Sequence, residues 1–483
     1  MINNIKSLKA LSLVVSILSE HKWVRRILFS KIIRRIILEL LSMIALVMSK
    51  RYSAKKATSL TKVGIILKNL SDKSKKHFTK KGYRNPAIEW ISNTKLNPDT
   101  IKFYTDWFNS LSFKSQRRFI KLNCNILLSS FKHYLENRQY DNLQDGGRNL
   151  RTIILAQFDK CNLNCVGCYT NMDRDKGEVS FEQLDYIIDQ AESLNVVLTV
   201  VVGKGEPFYN RESTDSLLKL IKLHPRMTFI IFTNGTTIGK KEIKRISRLH
   251  NVIPVISIDG LEKIHDARRG KGVYNKLRSV CREMNNQGIF YGYASTIYAQ
   301  NYQEVTSARF TQEMKEFGAM FCINFRFVYI PTDKNSDSSM VLSPQDLKDY
   351  LKNLSFIQNT TPIPLIDSDS AEQNLGGCLS RRGNLIYIDA ITGSVSPCVK
   401  TPFAPKSSNI YLDSNNNRLR EILNTEFFTA YRSRFPDYYQ CGIDYERELK
   451  DFRDNTKDLT KEEENRLFVM IDSLNKTKQK VPD

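Results

Sequence analysis

Cysteine is scarce in this chain: nine residues in 483, at positions 124, 161, 165, 168, 281, 322, 378, 398 and 441. That is too sparse and too clustered for the disulfide framework of a secreted scaffold, so the thiols point to a reducing cytoplasm and to metal–sulfur chemistry. Long apolar runs are missing as well. The longest, residues 36–49, has fourteen residues and contains Glu39, short of the roughly twenty that a spanning helix needs. The first residues, MINNIKSLKALSLVVSILSEHKW, break their apolar runs with charge and offer no small-residue cleavage site, so no signal peptide is expected. Acidic residues are few at this end. Residues 1–150 carry 29 Lys+Arg against 9 Asp+Glu, whereas the remaining 333 carry 44 against 42. The net charge of +22 therefore belongs to one segment, and such a basic face attracts anionic lipid or nucleic acid.

The apolar content around those charges favours lipid. Lys22, Arg25, Arg26, Lys31, Arg34 and Arg35 alternate with Trp23, Val24, Ile27, Leu28, Ile32, Ile33 and Ile36 at helical spacing, the pattern of an interfacial helix. A helix packed on the protein's own surface is the competing reading, and no nucleic-acid motif is present. Residues 1–50 are thus expected to form basic, amphipathic, membrane-associating helices, and 51–150 a helical N-terminal region with Trp90, Phe103, Trp107, Phe108 and Phe119 as core candidates. The expected location is cytoplasmic, peripheral on the inner face of the cell membrane.

At residue 151 the rhythm changes to short β-rich runs separated by helical stretches, which predicts βα units on a parallel sheet. Strands are expected at 152–158, 196–203, 227–233, 252–257, 289–297 and 321–329, with helices such as 180–194, where Ser180 and Gln183 form a capping box. Six units fall short of the eight of a closed barrel. The predicted fold is α/β: a partial (β/α)6 TIM-like barrel over 151–330, open on one side. A connector (331–375) follows, with a helix starting at Ser343, then a small cysteine-containing unit (376–445) and a charged C-terminal helix (446–483).

Directly after the first strand stands Cys161-Asn-Leu-Asn-Cys165-Val-Gly-Cys168-Tyr169. Three cysteines in one tight loop can hold three irons of a cubane and leave the fourth iron open. A structural zinc site would need a fourth protein ligand, and no histidine or further cysteine lies near in sequence. At this loop the chain resembles the radical S-adenosylmethionine (SAM) superfamily. The resemblance implies a [4Fe–4S] cluster on Cys161, Cys165 and Cys168. Its open iron would bind SAM, which is split reductively into methionine and a 5′-deoxyadenosyl radical that abstracts hydrogen from an unactivated C–H bond.

Other landmarks follow in order, each at the end of an expected strand. Gly203-Lys204-Gly205-Glu206-Pro207 is similar to the family's Gly-Gly-Glu-Pro motif at the SAM ammonium, with Lys204 in place of the first glycine. Thr233-Asn234-Gly235 and Ser257-Ile258-Asp259-Gly260 would face the ribose. His265-Asp266-Ala-Arg268-Arg269-Gly270 resembles the stretch after the fourth strand in the peptide-modifying branch, which makes Arg269, or Arg268, the candidate partner of the SAM carboxylate. The family has an aromatic residue before its third cysteine, where this chain has Gly167, and Tyr169 would supply stacking on adenine instead.

Cys378-x14-Gly393-x4-Cys398 resembles the opening of the SPASM and twitch extensions, with strands at 384–388 and 394–396 around a hairpin. Cys441 would be a third ligand. The dense cysteine run of a full SPASM domain is missing, so the resemblance implies one auxiliary [4Fe–4S] cluster of the shorter twitch type. Cys124, Cys281 and Cys322 read as buried small hydrophobes.

The substrate is open at this level: a small molecule, a lipid or lipid-linked precursor suggested by the basic N-terminus, or a ribosomally made peptide suggested by the C-terminal unit. A redox-sensing iron–sulfur protein without turnover is the reading from another class. Flavodoxin or ferredoxin is the expected electron donor, and nucleic acid is not an expected partner.

Overall fold

The structure is a computed structural model, and it describes residues 98–137, 150–168, 177–202, 204–327, 329, 337–370, 378–399, 404–413 and 415–433. The expected helices of 1–50 and 446–483, Trp90, Tyr169 and Cys441 lie outside the described residues.

The six expected strands are present as β1 (Thr152–Ala156), β2 (Leu198–Val201), β3 (Thr228–Thr233), β4 (Val252–Ser257), β5 (Gly292–Ile297) and β6 (Cys322–Arg326). They pair in sequence order and in parallel. β1 to β4 are nearly all apolar because parallel strands are covered on both faces, whereas β5 and β6 carry Ser295, Thr296, Asn324 and Arg326. Ile153, Leu155, Val201, Phe229 and Ile231 pack outward in the main core, while Ile154 and Ala156 face a second, inner cluster with Val200 and Val202. Each fully buried side chain of this kind contributes about 1.5–3 kcal/mol. The rings of Phe232 on β3 and Phe325 on β6 meet at 5.5 Å between centroids although two strands separate them. The sheet therefore curls, and these rings lie on its concave face.

Three further strands extend the sheet at its ends. β7 (Leu365–Asp367) pairs in parallel with β6, and β8 (Leu385–Asp389) pairs in parallel with β1 in register Thr152↔Leu385 to Ala156↔Asp389. β9 (Val395–Ser396) closes an antiparallel hairpin on β8. The sheet thus has nine strands in the order β7-β6-β5-β4-β3-β2-β1-β8-β9 and is not closed. This differs from the expected six. β7 is only three residues long, and β8 looks like half of a local hairpin, while its pairing with β1 spans more than two hundred residues of sequence.

Helices α1 (Pro98–Ser110) and α2 (Phe113–Asn137) precede the barrel and dock on one end of it. The Tyr104 hydroxyl donates to the Met320 carbonyl at 2.7 Å, Arg118 to that of Gln287 at 2.8 Å, and Ser129 to that of Arg226 at 2.9 Å. His133 Nδ1 lies 3.0 Å from the Asn195 carbonyl. These acceptors sit just before β6, β5, β3 and β2. Phe119 packs between Trp107, edge-on, and Phe290, tilted, with centroids at 5.0 and 5.1 Å. α1 and α2 therefore floor the barrel at the N-terminal ends of its strands.

Three of the remaining helices place the site. α3 (Phe181–Ser193) starts at the predicted capping box, in which Gln183 N donates to Ser180 Oγ at 3.1 Å and Ser180 N to Gln183 Oε1 at 2.9 Å; such a cap is worth about 1 kcal/mol. α4 (Arg211–Leu223) follows β2, and α5 (Glu262–Arg269) follows β4. The segment after β9 packs back on α3: Gln190 Nε2 donates to the Asn415 carbonyl at 2.9 Å, and Leu419 N to Gln190 Oε1 at 3.1 Å. Among the described residues no helix is long and apolar enough to cross a membrane.

Candidate functional site

With the floor sealed, the loops at the C-terminal ends of the strands are left to build a site. The loop after β1 carries Cys161 and Cys168, half-buried, and Cys165, 7% exposed. Cys168 N donates to the Cys165 carbonyl at 3.3 Å, which tightens the turn. Of the two residues between them, the second must be glycine. Gly167 has φ +64°, and a Cβ there would come within 2.6 Å of the Phe327 ring. Phe327 thus occupies the space beside the position where an aromatic was expected before the third cysteine.

Polar hydrogens point at the sulfur of Cys161, from Leu163 N at 3.5 Å and Asn234 Nδ2 at 3.6 Å, contacts that stabilise a thiolate. Burial pushes the Cys165 thiol up, while Arg269 and Arg268 pull it down. A soft metal that replaces the proton would relieve the first effect and keep the second. Three thiols in one loop, N–H donors on one sulfur and two cations beside another fit an iron–sulfur cluster; no disulfide competes for them among the described residues.

The loop after β2 presses directly on the cysteine loop. Gly205 admits no side chain, because a Cβ would lie 2.2 Å from the Lys160 carbonyl oxygen, and Glu206 N donates to that same oxygen at 2.9 Å. Glu206 is 2% exposed. Its carboxylate accepts from Thr233 Oγ1 at 2.5 Å, Asn234 N at 2.7 Å and Phe208 N at 3.1 Å. Burial pushes its pKa up to about 6 against these hydrogen bonds. Asn234 Nδ2 also donates to Asn162 Oδ1 at 3.0 Å, so Thr233 and Asn234 clamp the β2 and β1 loops together. Glu206 is thereby already bonded within the chain, a role the sequence did not disclose.

At the end of β4, Ser257 is half-buried, and Asp259 just beyond it is fully buried. Asp259 Oδ2 receives Arg268 Nη1 at 2.6 Å and Arg269 Nε at 2.5 Å, while Oδ1 accepts from Thr296 N at 2.8 Å. Despite burial, the two arginines hold its carboxyl well below the usual range. Both candidate arginines thus sit on Asp259, one carboxylate to two cations, and the surplus positive charge lies beside Cys165. α5 is tied to the cysteine loop by Val166 N donating to the Arg268 carbonyl at 3.0 Å.

Asp389, at the end of β8, was read from sequence only as part of a turn. Its Oδ2 pairs with Lys204 Nζ at 2.6 Å, the two side chains 6% and 11% exposed. The available signal was Lys204 itself, since a lysine in a motif that packs tightly needs a buried anion.

In the C-terminal unit Cys378 and Cys398 are half-buried. Their segments are joined by Ser380 Oγ, which donates to the Pro397 carbonyl, and by the hairpin pairs Tyr387↔Ser396 and Ile388↔Val395. Gly393 turns the hairpin at φ +79°. Away from this mouth, Asp189, Glu192 and His224 form a compact donor cluster on α3 and α4. Glu192 is already paired with Arg226, and His224 Nε2 lies 2.8 Å from Asp185, so the two most buried members of the cluster are engaged within the chain.

Residues 157–309 match the Radical SAM superfamily model: the chain carries a radical SAM domain, and that domain implies a [4Fe–4S] cluster and SAM. Radical SAM cyclopropyl synthase TigE of Paramaledivibacter caminithermalis is 24% identical over 385 residues, 72% of this chain and 74% of TigE. Sporulation killing factor maturation protein SkfB of Bacillus subtilis is 26% identical over 153 residues, 32% of this chain, and Fe-coproporphyrin III synthase of Methanosarcina barkeri 28% over 149, 30% of this chain; each is spanned over 37% of its own length. Streptococcus suis SuiB bound to SAM has the same fold, with a TM-score of 0.52 at 14% identity over 72% of this chain and 82% of SuiB.

Proposed function

We propose that this chain is a radical SAM maturase of a ribosomally made peptide, with Cys161, Cys165 and Cys168 as the ligands of its SAM-cleaving cluster. The cluster, when bound, supplies the electron that splits SAM and so generates the hydrogen-abstracting radical. The chain's own residues do the rest. Glu206, Thr233 and Asn234 hold the loop after β2 against the cysteine loop, Ser257 and Arg269 are the proposed contacts of SAM's ribose and carboxylate, and Arg268 and Asp259 orient Arg269 from behind. Cys378, Cys398 and Cys441 are the proposed ligands of an auxiliary cluster, and flavodoxin or ferredoxin the electron source.

The observation that carries the peptide reading is the similarity to SkfB, a maturation protein by name, together with the fold shared with SuiB, which is solved with the precursor peptide SuiA bound. The concave face supports it: Phe325, 37% exposed beside Phe232, offers an apolar wall on the inner face of a sheet that is not closed among the described residues. Co-expression with short peptides encoded beside its gene, followed by mass spectrometry, tests it. A SAM-dependent mass change in one peptide is expected, and deoxyadenosine formation stimulated by lipid extract but by no peptide would refute it.

A second reading follows from the ten Lys+Arg and two Asp+Glu of residues 1–51: association with an anionic membrane and a lipid or lipid-linked substrate. Each basic residue near such a surface adds up to ~1 kcal/mol, screened by salt. Binding to anionic vesicles that salt releases, and that truncation of 1–51 abolishes, would support it; indifference to the vesicles would remove it.

A further inference from the structure

The loop after β2 is held from two sides. On one, Glu206 is bonded to Thr233 and Asn234 of the β3 loop. On the other, Lys204 reaches Asp389 of the C-terminal unit at 2.6 Å. Asp389 is the first residue of the hairpin turn. Its Oδ1 accepts from Ile391 N at 3.1 Å and its backbone carbonyl from Gly393 N at 2.8 Å, so Oδ2 is the atom left for Lys204. One residue on, Ala390 N donates to the Ala156 carbonyl at 2.9 Å, at the root of the cysteine loop. The ends of the adjacent strands β8, β1 and β2 are thus locked together at one point, and the lock is charged and nearly dry. A buried lysine or aspartate is retained in such a place only with its partner.

We propose that Lys204 and Asp389 are positioning residues through which the C-terminal hairpin holds the SAM-binding loop in register; the inference rests on the reading that SAM binds beside Gly205 and Glu206. Lys204 is followed directly by Gly205, which touches the Lys160 carbonyl with no room for a side chain. A loop packed this closely transmits a shift at Lys204 to the cysteine loop rather than absorbing it. The replacement of a glycine by lysine is then a gain, a charge-assisted bond between two parts of the chain that are 185 residues apart. The hairpin that receives it is the one flanked by Cys378 and Cys398, so the pair makes SAM affinity depend on how that unit is seated.

The test uses the full chain, reconstituted anaerobically and reduced with dithionite, with SAM added stepwise and the electron paramagnetic resonance signal of the reduced cluster read as a binding curve. Lys204→Met and Asp389→Asn should each raise the dissociation constant of SAM about tenfold with the iron content of the wild type. The double variant should be no weaker than either single variant, because the pair is one interaction, and Lys204→Arg, which keeps the charge, should stay close to wild type. KM for SAM should rise while kcat at saturating SAM falls less. Asp389→Asn keeps the acceptor for Ile391 and serves where Lys204→Met fails to fold. Wild-type SAM affinity in both single variants, or additive losses in the double variant, would overturn the proposal. A wild-type signal that ignores SAM would overturn the radical SAM reading itself, and this inference with it.

Discussion

Replacing Asp259 by Asn removes one negative charge from between two arginines that are 7% and 11% exposed. The substitution is nearly isosteric, and the acceptor for Thr296 N can be retained, so little packing is lost. The electrostatic loss is large. Two guanidiniums are left facing each other in a buried site, one of them with Nε already lacking a hydrogen-bond partner. Breaking a buried pair by removing one partner costs about 3–5 kcal/mol, and this carboxylate serves two partners, so the upper half of that range is expected. The exposed pair Arg245–Asp215, with side chains 32% and 48% exposed, supplies the control: Asp215→Asn should cost about 0.2–1 kcal/mol. Urea unfolding of the three proteins under anaerobic conditions, compared at equal m, measures both. A loss below about 1 kcal/mol for Asp259→Asn would refute the view that this carboxylate is the electrostatic keystone of the mouth.

Gly167→Ala should destabilise by about 1–3 kcal/mol, the cost of a side chain in left-handed backbone, and should disturb cluster assembly because the new methyl meets Phe327; a wild-type melting curve and iron content would contradict this. Around His224, burial lowers its pKa, but Glu192 and Asp185 outweigh burial and raise it, whereas Glu192 is pulled down to about 2 by His224 and Arg226 against burial. The histidine therefore stabilises the fold at low pH and its contribution is lost as pH rises through its raised value; that of Glu192 is present above the usual carboxylate value and is lost as pH falls toward about 2. His224→Gln should flatten the decline in stability between about pH 6 and 8, and an unchanged decline would show that other groups cause it. Reconstituted protein should hold more iron than the roughly four of one cubane, and replacing Cys378 and Cys398 together by Ala should remove the excess; iron unchanged by that replacement would show that the auxiliary site is absent.

The six core strands and the cysteine loop were legible because each is local. Parallel strands write continuous apolar runs, and Ser180, Ser343 and Gly393 mark a cap or a turn within a few residues. The expected hairpin appears at 385–396 and the helix after Ser343 at Pro344–Thr360. What escaped is long-range. β8 pairs with β1, α1 and α2 dock under β2 to β6, and Asp389 meets Lys204, none of which leaves a periodicity in the chain. The arginines illustrate a finer limit. Their type and place were readable from the stretch after β4, but that both engage Asp259 depends on the fold bringing one carboxylate beneath them.

The most direct measurement is the yield of 5′-deoxyadenosine from SAM and dithionite, with anaerobically reconstituted wild-type protein beside Cys165→Ala. The wild type should release it in proportion to its cluster content, and Cys165→Ala should release none while keeping its circular dichroism spectrum, because two thiolates in the loop cannot retain the cubane. Equal yields from the two proteins would contradict the assignment of Cys161, Cys165 and Cys168 as the site of SAM cleavage.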